Sequence, residues 1–480
     1  MWYNLSVIVE IVHGKGEQKM TRRIISLLLV LVMIFATVSL VACEEKKNRD
    51  KDDTKKTEDG TSGSGDTSNQ ESTGGTQDSD EKGESETQKS TSSSTNKNKE
   101  DVKMYQIKQF VEPVWAGEVS YAEAAFVRQN ASKQVEPIQL LYDIKEIIAV
   151  RSSDLKTLYK EGVDYKVENG KLVIIEGGSI PVLEYDKYYF PMTQADHNID
   201  KIQSKVPAKT NGMGYIVAEQ KNESQPGMSA WTLAVTYRHD EGNCAVSVPA
   251  DRSDKFTKIQ QKLANREEVK IVALGDSITY GWSSSLNARM APNCPNYPLI
   301  FQDYIRLNYR LPNIKYTNLS YSGKNSDWAL NYCSDRKYVP IDKLCEEKPD
   351  LVFLAFGMND ACGITPSKFI TNINTMLDKI KEKCPDAMVV VVGTMLPNAE
   401  ALWSPNGSPI LLYHDEYMTA LQGAEKNWTN AVFANVTQAH MDIMKVKTYQ
   451  DTTGSNTNHP NDYFHRVYAH VLIQTVFGYK

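Results

Sequence analysis

The sequence predicts an α/β fold with a mostly parallel sheet over residues 251–480, preceded by a small all-β domain and a polar tether. Short apolar strands alternate with helical segments in this last region, a pattern typical of right-handed βαβ units. Residues 103–250 contain short β-branched or alternating runs separated by turn residues, which favours a β-sandwich. Residues 44–102 are almost devoid of apolar side chains, and residues 1–43 form a leader.

Residues 20–43 have the features of an export signal. Two arginines precede an apolar run over 24–41, and Ala42 then precedes Cys43. This arrangement resembles a bacterial lipoprotein signal, in which the cysteine is lipidated. A transmembrane anchor is the alternative, because about 18 apolar residues just span a bilayer. We predict a lipid anchor at Cys43 on the extracellular face of the bacterial cell membrane, with Met20 as the true start.

Composition restricts the partners and the metal chemistry of the chain. The net charge of -6 gives no reason to expect nucleic-acid binding. The tether over 44–102 cannot bury enough surface to offset its chain entropy and is predicted to be disordered. The six cysteines after Cys43 show no CxxC pair and no zinc spacing, and their disulfide pairing stays open.

The region over 103–250 is predicted to be a jelly-roll-like accessory domain. Its strand candidates are Ile138–Tyr142, Glu146–Arg151, Lys171–Glu176 and Trp231–Arg238. Several aromatic residues in this region either form its core or provide a sugar-binding platform: Trp115, Tyr121, Tyr185, Tyr188, Tyr189, Phe190 and Trp231. A polar helix over Asp251–Glu268 then leads into the α/β domain.

The α/β region has strands that are near-continuous apolar runs, as expected when helices cover both faces of a sheet. The strand candidates are Val269–Leu274, Lys315–Leu319, Leu351–Phe356, Met388–Thr394 and Ala431–Asn435. The helix candidates are Pro298–Asn308, Pro366–Lys383, His414–Asn427 and Phe464–Phe477.

The first of these strands ends abruptly in Gly275-Asp276-Ser277. A serine on a tight turn after a buried strand projects its hydroxyl at the carboxyl end of the sheet, where open α/β folds place their sites. Gly275 removes the side chain that would crowd the turn, and Asp276 is expected to hold the turn through hydrogen bonds. An ordinary strand-to-helix turn is the alternative for this tripeptide taken alone.

Three further polar blocks complete a pattern with this serine. They are Ser322-Gly323-Lys324-Asn325, Gly357-Met358-Asn359-Asp360 and Asn458-His459-Pro460-Asn461. In order and spacing, the four blocks resemble the SGNH (GDSL-type) hydrolase superfamily. The resemblance implies a three-layer α/β sandwich with Ser277 as nucleophile and His459 as general base. It also implies an oxyanion hole made by the N–H groups of Ser277 and Gly323 and the Asn359 amide.

The chain departs from the family at one position. The family usually carries an aspartate three residues before the histidine to fix the imidazole tautomer, and this chain has Asn456 there. Asn456 could orient the imidazole, a backbone carbonyl could do so in a Ser–His dyad, or Asp451 or Asp462 could serve instead. The residues leave these alternatives open.

No cofactor and no metal are expected, since HExxH, paired-histidine and P-loop motifs are missing. The resemblance implies an acyl ester hydrolase. Polar loops that contain Trp282 and Trp403 favour an acylated polysaccharide over a long-chain lipid, although loop packing explains these tryptophans equally well. An esterase or lipase on small acyl esters and a non-catalytic glycan-binding lipoprotein are the alternatives.

Overall fold

The structure is a computed structural model that describes residues 107–191, 204–210, 212–218, 227–242, 244–402 and 409–479. The predicted lipoprotein signal with Cys43, the tether over 44–102, and Trp403 lie outside the described residues. All described residues belong to one compact unit. Within them, no helix has the length and apolar character needed to cross a bilayer.

The region before residue 250 consists mainly of antiparallel strands. The strands are β1 Val119–Phe126, β2 Glu146–Ser152, β3 Leu158–Tyr159, β4 Tyr165–Glu168, β5 Lys171–Ile174, β6 Tyr189–Pro191, β7 Ser204–Thr210, β8 Gly212–Ala218 and β9 Thr232–Arg238. They form a four-stranded sheet in the order β1-β9-β2-β3, a β4-β5 hairpin and a three-stranded sheet in the order β6-β8-β7. A single helical turn, α1 (Tyr185–Tyr188), precedes β6. We call this part the β region.

Two sequence predictions for the β region differ from the structure. Ile138–Tyr142 is not a strand, because only Ile138 forms a bridge, with Leu172. Strand β1 was not predicted because its AEAA stretch has little β propensity, yet it pairs with β9 along most of its length. Of the candidate platform aromatics, Tyr188 and Trp231 are buried in a hydrophobic cluster.

The region from residue 268 onward contains the predicted parallel sheet. Its strands are β10 Glu268–Gly275, β11 Asn313–Asn318, β12 Leu351–Ala355, β13 Met388–Val392 and β14 Ala431–Ala434. The strand order is β11-β10-β12-β13-β14, and every neighbouring pair is parallel. All five predicted strands are therefore confirmed, with ends that differ by one or two residues.

Helices connect these strands. They are α2 Thr257–Ala264, α3 Ser277–Tyr280, α4 Tyr297–Asn308, α5 Ser326–Leu330, α6 Pro340–Glu346, α7 Pro366–Lys383, α8 His414–Glu425, α9 Val436–Ile443 and α10 Asp462–Phe477. The four predicted helices correspond to α4, α7, α8 and α10. The predicted polar helix over Asp251–Glu268 is shorter than expected, because Glu268 already pairs in the sheet.

The two faces of the sheet bury different clusters, as the period of two along a strand requires. On β10, Ile271 and Ala273 belong to one cluster with α2, α4, α9 and α10. Val272 and Leu274 belong to the other, with α5, α6, α7 and α8. Helices on both faces make this a three-layer α/β sandwich, as predicted.

The β region shares the first of these clusters. Val235 and Tyr237 of β9 lie in the same buried cluster as Phe464 and Val467 of α10. A fully buried ion pair also joins the two parts, with Nζ of Lys447 2.6 Å from Oε1 of Glu123. The domain boundary at residue 250 stays a prediction. The six cysteines from Cys244 to Cys384 are free thiols.

Candidate active site

Ser277 lies directly after the carboxyl end of the central strand β10. It is the first residue of α3, and the Asp276 carboxylate caps that helix by accepting a hydrogen bond of 2.9 Å from the Ile278 N–H. A Cβ added at Gly275 would lie 2.4 Å from the carbonyl oxygen of Ala355, so only glycine permits this close approach of β10 and β12. The Ser277 side chain is thereby fixed at the sheet edge with a residue exposure of 2%.

His459 reaches Ser277 from a loop 182 residues further along the chain. Its Nε2 lies 2.9 Å from Oγ of Ser277. The loop is held at the histidine itself: the His459 N–H donates to Oγ of Ser455 at 3.0 Å, and Thr453 Oγ1 donates to the His459 carbonyl at 2.8 Å. The Trp282 ring stacks beside the imidazole, with centroids 5.8 Å apart and planes inclined by 22°.

Burial sets the protonation state of this imidazole. It lowers the pKa of His459 from 6.5 to about 4, because a low-polarity environment disfavours the charged form. The imidazole is therefore neutral at physiological pH. A neutral imidazole within hydrogen-bond distance of a serine hydroxyl can accept its proton.

None of the side chains proposed from the sequence orients the other imidazole nitrogen. Nδ1 of His459 is buried and has no hydrogen-bond partner among the described residues. Asp451 accepts hydrogen bonds from the Phe126 N–H at 2.6 Å and from Thr448, and Asp462 accepts one from the Ser285 N–H at 2.7 Å. Asn456 hydrogen-bonds Tyr188, Asn398 and Gln450. Within the described residues, the arrangement is a Ser–His pair with no side chain on Nδ1.

Gly323 and Asn359 lie on loops after the strands that flank β10. Gly323 has φ +71, which favours glycine, and its backbone is exposed. The Asn359 amide donates to the carbonyl of Lys324 at 3.0 Å, which ties these two loops together. The Tyr321 N–H donates to the Gly275 carbonyl at 3.0 Å and links the Gly323 loop to the Ser277 turn. All four sequence blocks therefore meet at one edge of the sheet, as predicted.

Two buried carboxylates support these loops. Asp360 accepts hydrogen bonds from the Gly357 N–H at 2.9 Å and from the N–H and hydroxyl of Ser326. Burial raises the pKa of Asp360 to about 6 and that of Asp276 to about 7. Sequence reasoning assigned Asp276 to the turn but missed Asp360, although its place beside Asn359 was a signal.

The geometry places the Ser277 hydroxyl beside a neutral imidazole, at the sheet edge where the Gly323 and Asn359 loops also lie. A hydroxyl and a base are the groups needed for nucleophilic attack on a carbonyl. Among the described residues, no cluster of three or more His, Cys, Asp or Glu side chains is placed to bind a metal ion.

The model of one protein family, described as GDSL-like Lipase/Acylhydrolase, matches residues 273–467. No curated protein sequence matches the chain. Among solved structures, a two-domain esterase active on acetylated mannans matches with 19% identity and a TM-score of 0.34, over 46% of this chain and 53% of that one. The chain thus covers about half the length of that esterase.

Two other solved structures match a similar part of the chain. An acetylxylan esterase from Geobacillus stearothermophilus has 16% identity and a TM-score of 0.34, over 44% of this chain and 94% of that one. A member of the lipolytic G-D-S-L family from Veillonella parvula has 16% identity and a TM-score of 0.32, over 43% of this chain and 97% of that one. The family match over residues 273–467 and the four loops that meet at the sheet edge identify this part of the chain as a hydrolase domain of the GDSL/SGNH type.

Proposed function

We propose that this protein is an exported serine esterase that removes acetyl or other short acyl groups from carbohydrate. The observation that carries the proposal is the 2.9 Å hydrogen bond between Oγ of Ser277 and Nε2 of His459. A serine hydroxyl is a weak nucleophile until a base takes its proton, and a neutral imidazole at this distance is a suitable base.

In the proposed reaction, Oγ of Ser277 attacks the ester carbonyl carbon while its proton passes to Nε2 of His459. The N–H groups of Ser277 and Gly323 and the Asn359 amide bind the oxyanion. The ester C–O bond then breaks, and the proton moves from Nε2 to the departing sugar hydroxyl. A water molecule then attacks the acyl-serine while its proton passes to His459. The bond between the acyl carbon and Oγ breaks, and the proton moves from Nε2 to Oγ, which releases the carboxylic acid and restores the free serine. Loss of one oxyanion donor of this kind typically costs about 10²–10³ in rate.

The surroundings of Ser277 favour carbohydrate over a long acyl chain. Trp282 lies beside His459 and keeps 37% of its surface exposed, and Tyr280 on the same loop is 48% exposed. Exposed aromatic rings next to polar groups suit sugar rings, which have apolar faces and hydroxyl edges. The three residues after Trp282 on this loop are serines and not apolar residues.

The test is acetate release from acetylated xylan, acetylated mannan and O-acetylated peptidoglycan, with the whole protein and its Ser277→Ala variant. Ser253→Ala is the control, because the neighbouring Arg252 N–H donates to the Thr475 carbonyl, near the end of α10 that is opposite to His459. We expect release by the wild type and by the control, and none by Ser277→Ala. Undiminished release by Ser277→Ala contradicts the mechanism. A preference for p-nitrophenyl octanoate over the acetate contradicts the short-acyl substrate.

We also propose that the protein is anchored by lipid at Cys43 on the extracellular face of the bacterial membrane. The support is the run over 20–43, with arginines, an apolar stretch and an Ala42-Cys43 end. Metabolic labelling with a clickable palmitate analogue is expected to mark the wild type and to leave Cys43→Ala unlabelled. Equal labelling of both contradicts the lipoprotein proposal.

A further inference from the structure

The orientation of His459 depends on the loop that carries it. Its Nδ1 has no hydrogen-bond partner among the described residues, so no side chain holds the imidazole through that nitrogen. The remaining constraints are the Ser277 hydroxyl on Nε2, the backbone bonds at His459, the Trp282 ring and the conformation of residues 448–461, which we call the histidine loop. Whatever fixes the histidine loop therefore fixes the imidazole.

Tyr188 of the β region is inserted into this loop. It is fully buried, and its hydroxyl accepts hydrogen bonds from Nε2 of Gln450 at 2.7 Å and from Nδ2 of Asn456 at 2.9 Å. The same hydroxyl lies 3.3 Å from Oδ1 of Asn456 as a donor. Burial raises the pKa of the phenol, which keeps it protonated and able to donate and accept together.

Asn456 is the residue through which this contact reaches the histidine. It lies three residues before His459 and adopts a left-handed conformation with φ +54, which asparagine tolerates better than most residues. Its side chain also accepts from Nδ2 of Asn398 at 3.0 Å, and the same Asn398 amide donates to its carbonyl at 2.9 Å. These bonds hold the backbone at the turn that leads into His459.

The β region contacts the same loop and its flanks at other points. The Phe126 N–H donates to Asp451 inside the loop at 2.6 Å. The buried Glu123–Lys447 pair lies just before the loop. After it, the guanidinium of Arg466 donates to the carbonyls of Tyr121 at 2.9 Å and Ala122 at 2.7 Å. The histidine loop is thus held by the β region on both sides.

We propose that Tyr188 is a positioning residue for His459, and that the β region is a structural part of the catalytic site. At the position where an aspartate would orient the imidazole directly, Asn456 holds the loop through a tyrosine from another part of the chain. This inference rests on the proposed function, because it takes His459 as the general base. Small displacements of a catalytic group lower kcat without weakening substrate binding.

The test compares Tyr188→Phe with Tyr142→Phe. Both tyrosines belong to the β region and are buried, but the Tyr142 hydroxyl donates to the Val114 carbonyl at 2.9 Å and is not bonded to the histidine loop. Each variant loses one buried hydroxyl. We expect Tyr188→Phe to lower kcat on p-nitrophenyl acetate about 10-fold with KM unchanged, because a misplaced base slows only the chemical step. Tyr142→Phe is expected to keep the wild-type kcat.

Gln450→Leu is a second variant, since it removes a donor to the Tyr188 phenol from inside the loop. It should reproduce the loss of kcat with KM unchanged. Thermal unfolding of all three variants shows whether loss of stability alone explains the kinetics. The proposal is overturned if Tyr188→Phe and Tyr142→Phe have the same kcat, whether both keep the wild-type value or both fall below it.

A readout independent of turnover separates this inference from the proposed function. The pKa of His459 can be followed by NMR of histidine-labelled protein, with the resonance assigned from His459→Gln. Loosening the loop admits water and raises this pKa from about 4 toward its ordinary value in Tyr188→Phe but not in Tyr142→Phe. His414, a buried histidine whose Nε2 lies 3.2 Å from the Met358 carbonyl oxygen and which is not part of the histidine loop, serves as internal reference. An inactive wild type refutes the esterase proposal. The NMR comparison still decides the positioning role.

Discussion

Asp360 and Ser326 are joined by two hydrogen bonds, one from the serine N–H at 2.9 Å and one from its hydroxyl, and both residues are fully buried. Asp360 follows Asn359, while Ser326 follows the block that contains Gly323. This contact therefore fixes the loops of Gly323 and Asn359, two of the three proposed oxyanion donors, relative to each other. The Gly357 N–H, bound to the same carboxylate at 2.9 Å, adds a third hydrogen bond.

Asp360→Ala is expected to lower both stability and kcat. It leaves the buried N–H groups of Ser326 and Gly357 without a partner, at a cost of about 1–3 kcal/mol each. The kcat falls because the loops that carry Gly323 and Asn359 lose their common support. Denaturant unfolding and steady-state kinetics measure the two effects. Asp386→Ala is the control, because its carboxylate is 86% exposed and its ion pair with Lys258 is screened by water. Wild-type kcat in Asp360→Ala would contradict this role.

The pH profile of kcat/KM should rise at unusually low pH. Only neutral His459 can take the serine proton, so activity is present above the pKa of His459 and is lost as the pH falls through it. Burial lowers that pKa to about 4, so the acidic limb is expected near pH 4 rather than near 6.5. Gas chromatography of the ethanol released from ethyl acetate measures the limb without a titrating chromophore or product. A midpoint near the ordinary histidine pKa would show that the imidazole is solvated in the working enzyme.

Asp276→Asn is expected to gain stability relative to the wild type as the pH rises. Burial raises the pKa of Asp276 from 3.8 to about 7 in the folded state, so protonation favours folding. The stabilisation of the folded state by protonated Asp276 is complete below about pH 3.8. It decreases as the pH rises to about 7 and is lost above that pH. The asparagine keeps an oxygen for the Ile278 N–H and carries no charge. The difference in Tm between variant and wild type should therefore grow between these two pH values, and a constant difference would contradict the raised pKa.

Gly275→Ala is expected to damage the site through the backbone. The new Cβ would lie 2.4 Å from the Ala355 carbonyl oxygen, so β10 and β12 must separate at the end that carries Ser277. Overpacking of this kind costs about 1–3 kcal/mol, and kcat should fall with it. Gly423→Ala in α8 is the matched control, since its added Cβ meets no atom within 4 Å and alanine favours a helix. Equal thermal stability of the two variants would refute the steric argument.

Local sequence patterns were sufficient to predict most of the strands and the longer helices of the α/β region. Every residue is apolar in two of the strands, over Leu351–Leu354 and Val389–Val392. A short run without alternating polar residues is typical of a strand that is covered on both faces. Helix α9 was missed because its start is signalled only by Asn435, whose side chain accepts from the Gln438 N–H, and the sequence pattern assigned that residue to the preceding strand. In the β region, short alternating runs left Ile138–Tyr142 indistinguishable from a strand.

The sequence alone determined the parallel sheet, the order of the four polar blocks and the two residues whose side chains meet at 2.9 Å, Ser277 and His459. These follow from periodicity and from the rule that parallel strands end at one edge of a sheet. Only the tertiary structure decided that the side chains of Asn456, Asp451 and Asp462 bond elsewhere, and that Tyr188 of the β region contacts the histidine loop. The direction of a hydrogen bond depends on angles and on distances of a few ångströms between segments far apart in the chain, and no local pattern encodes them.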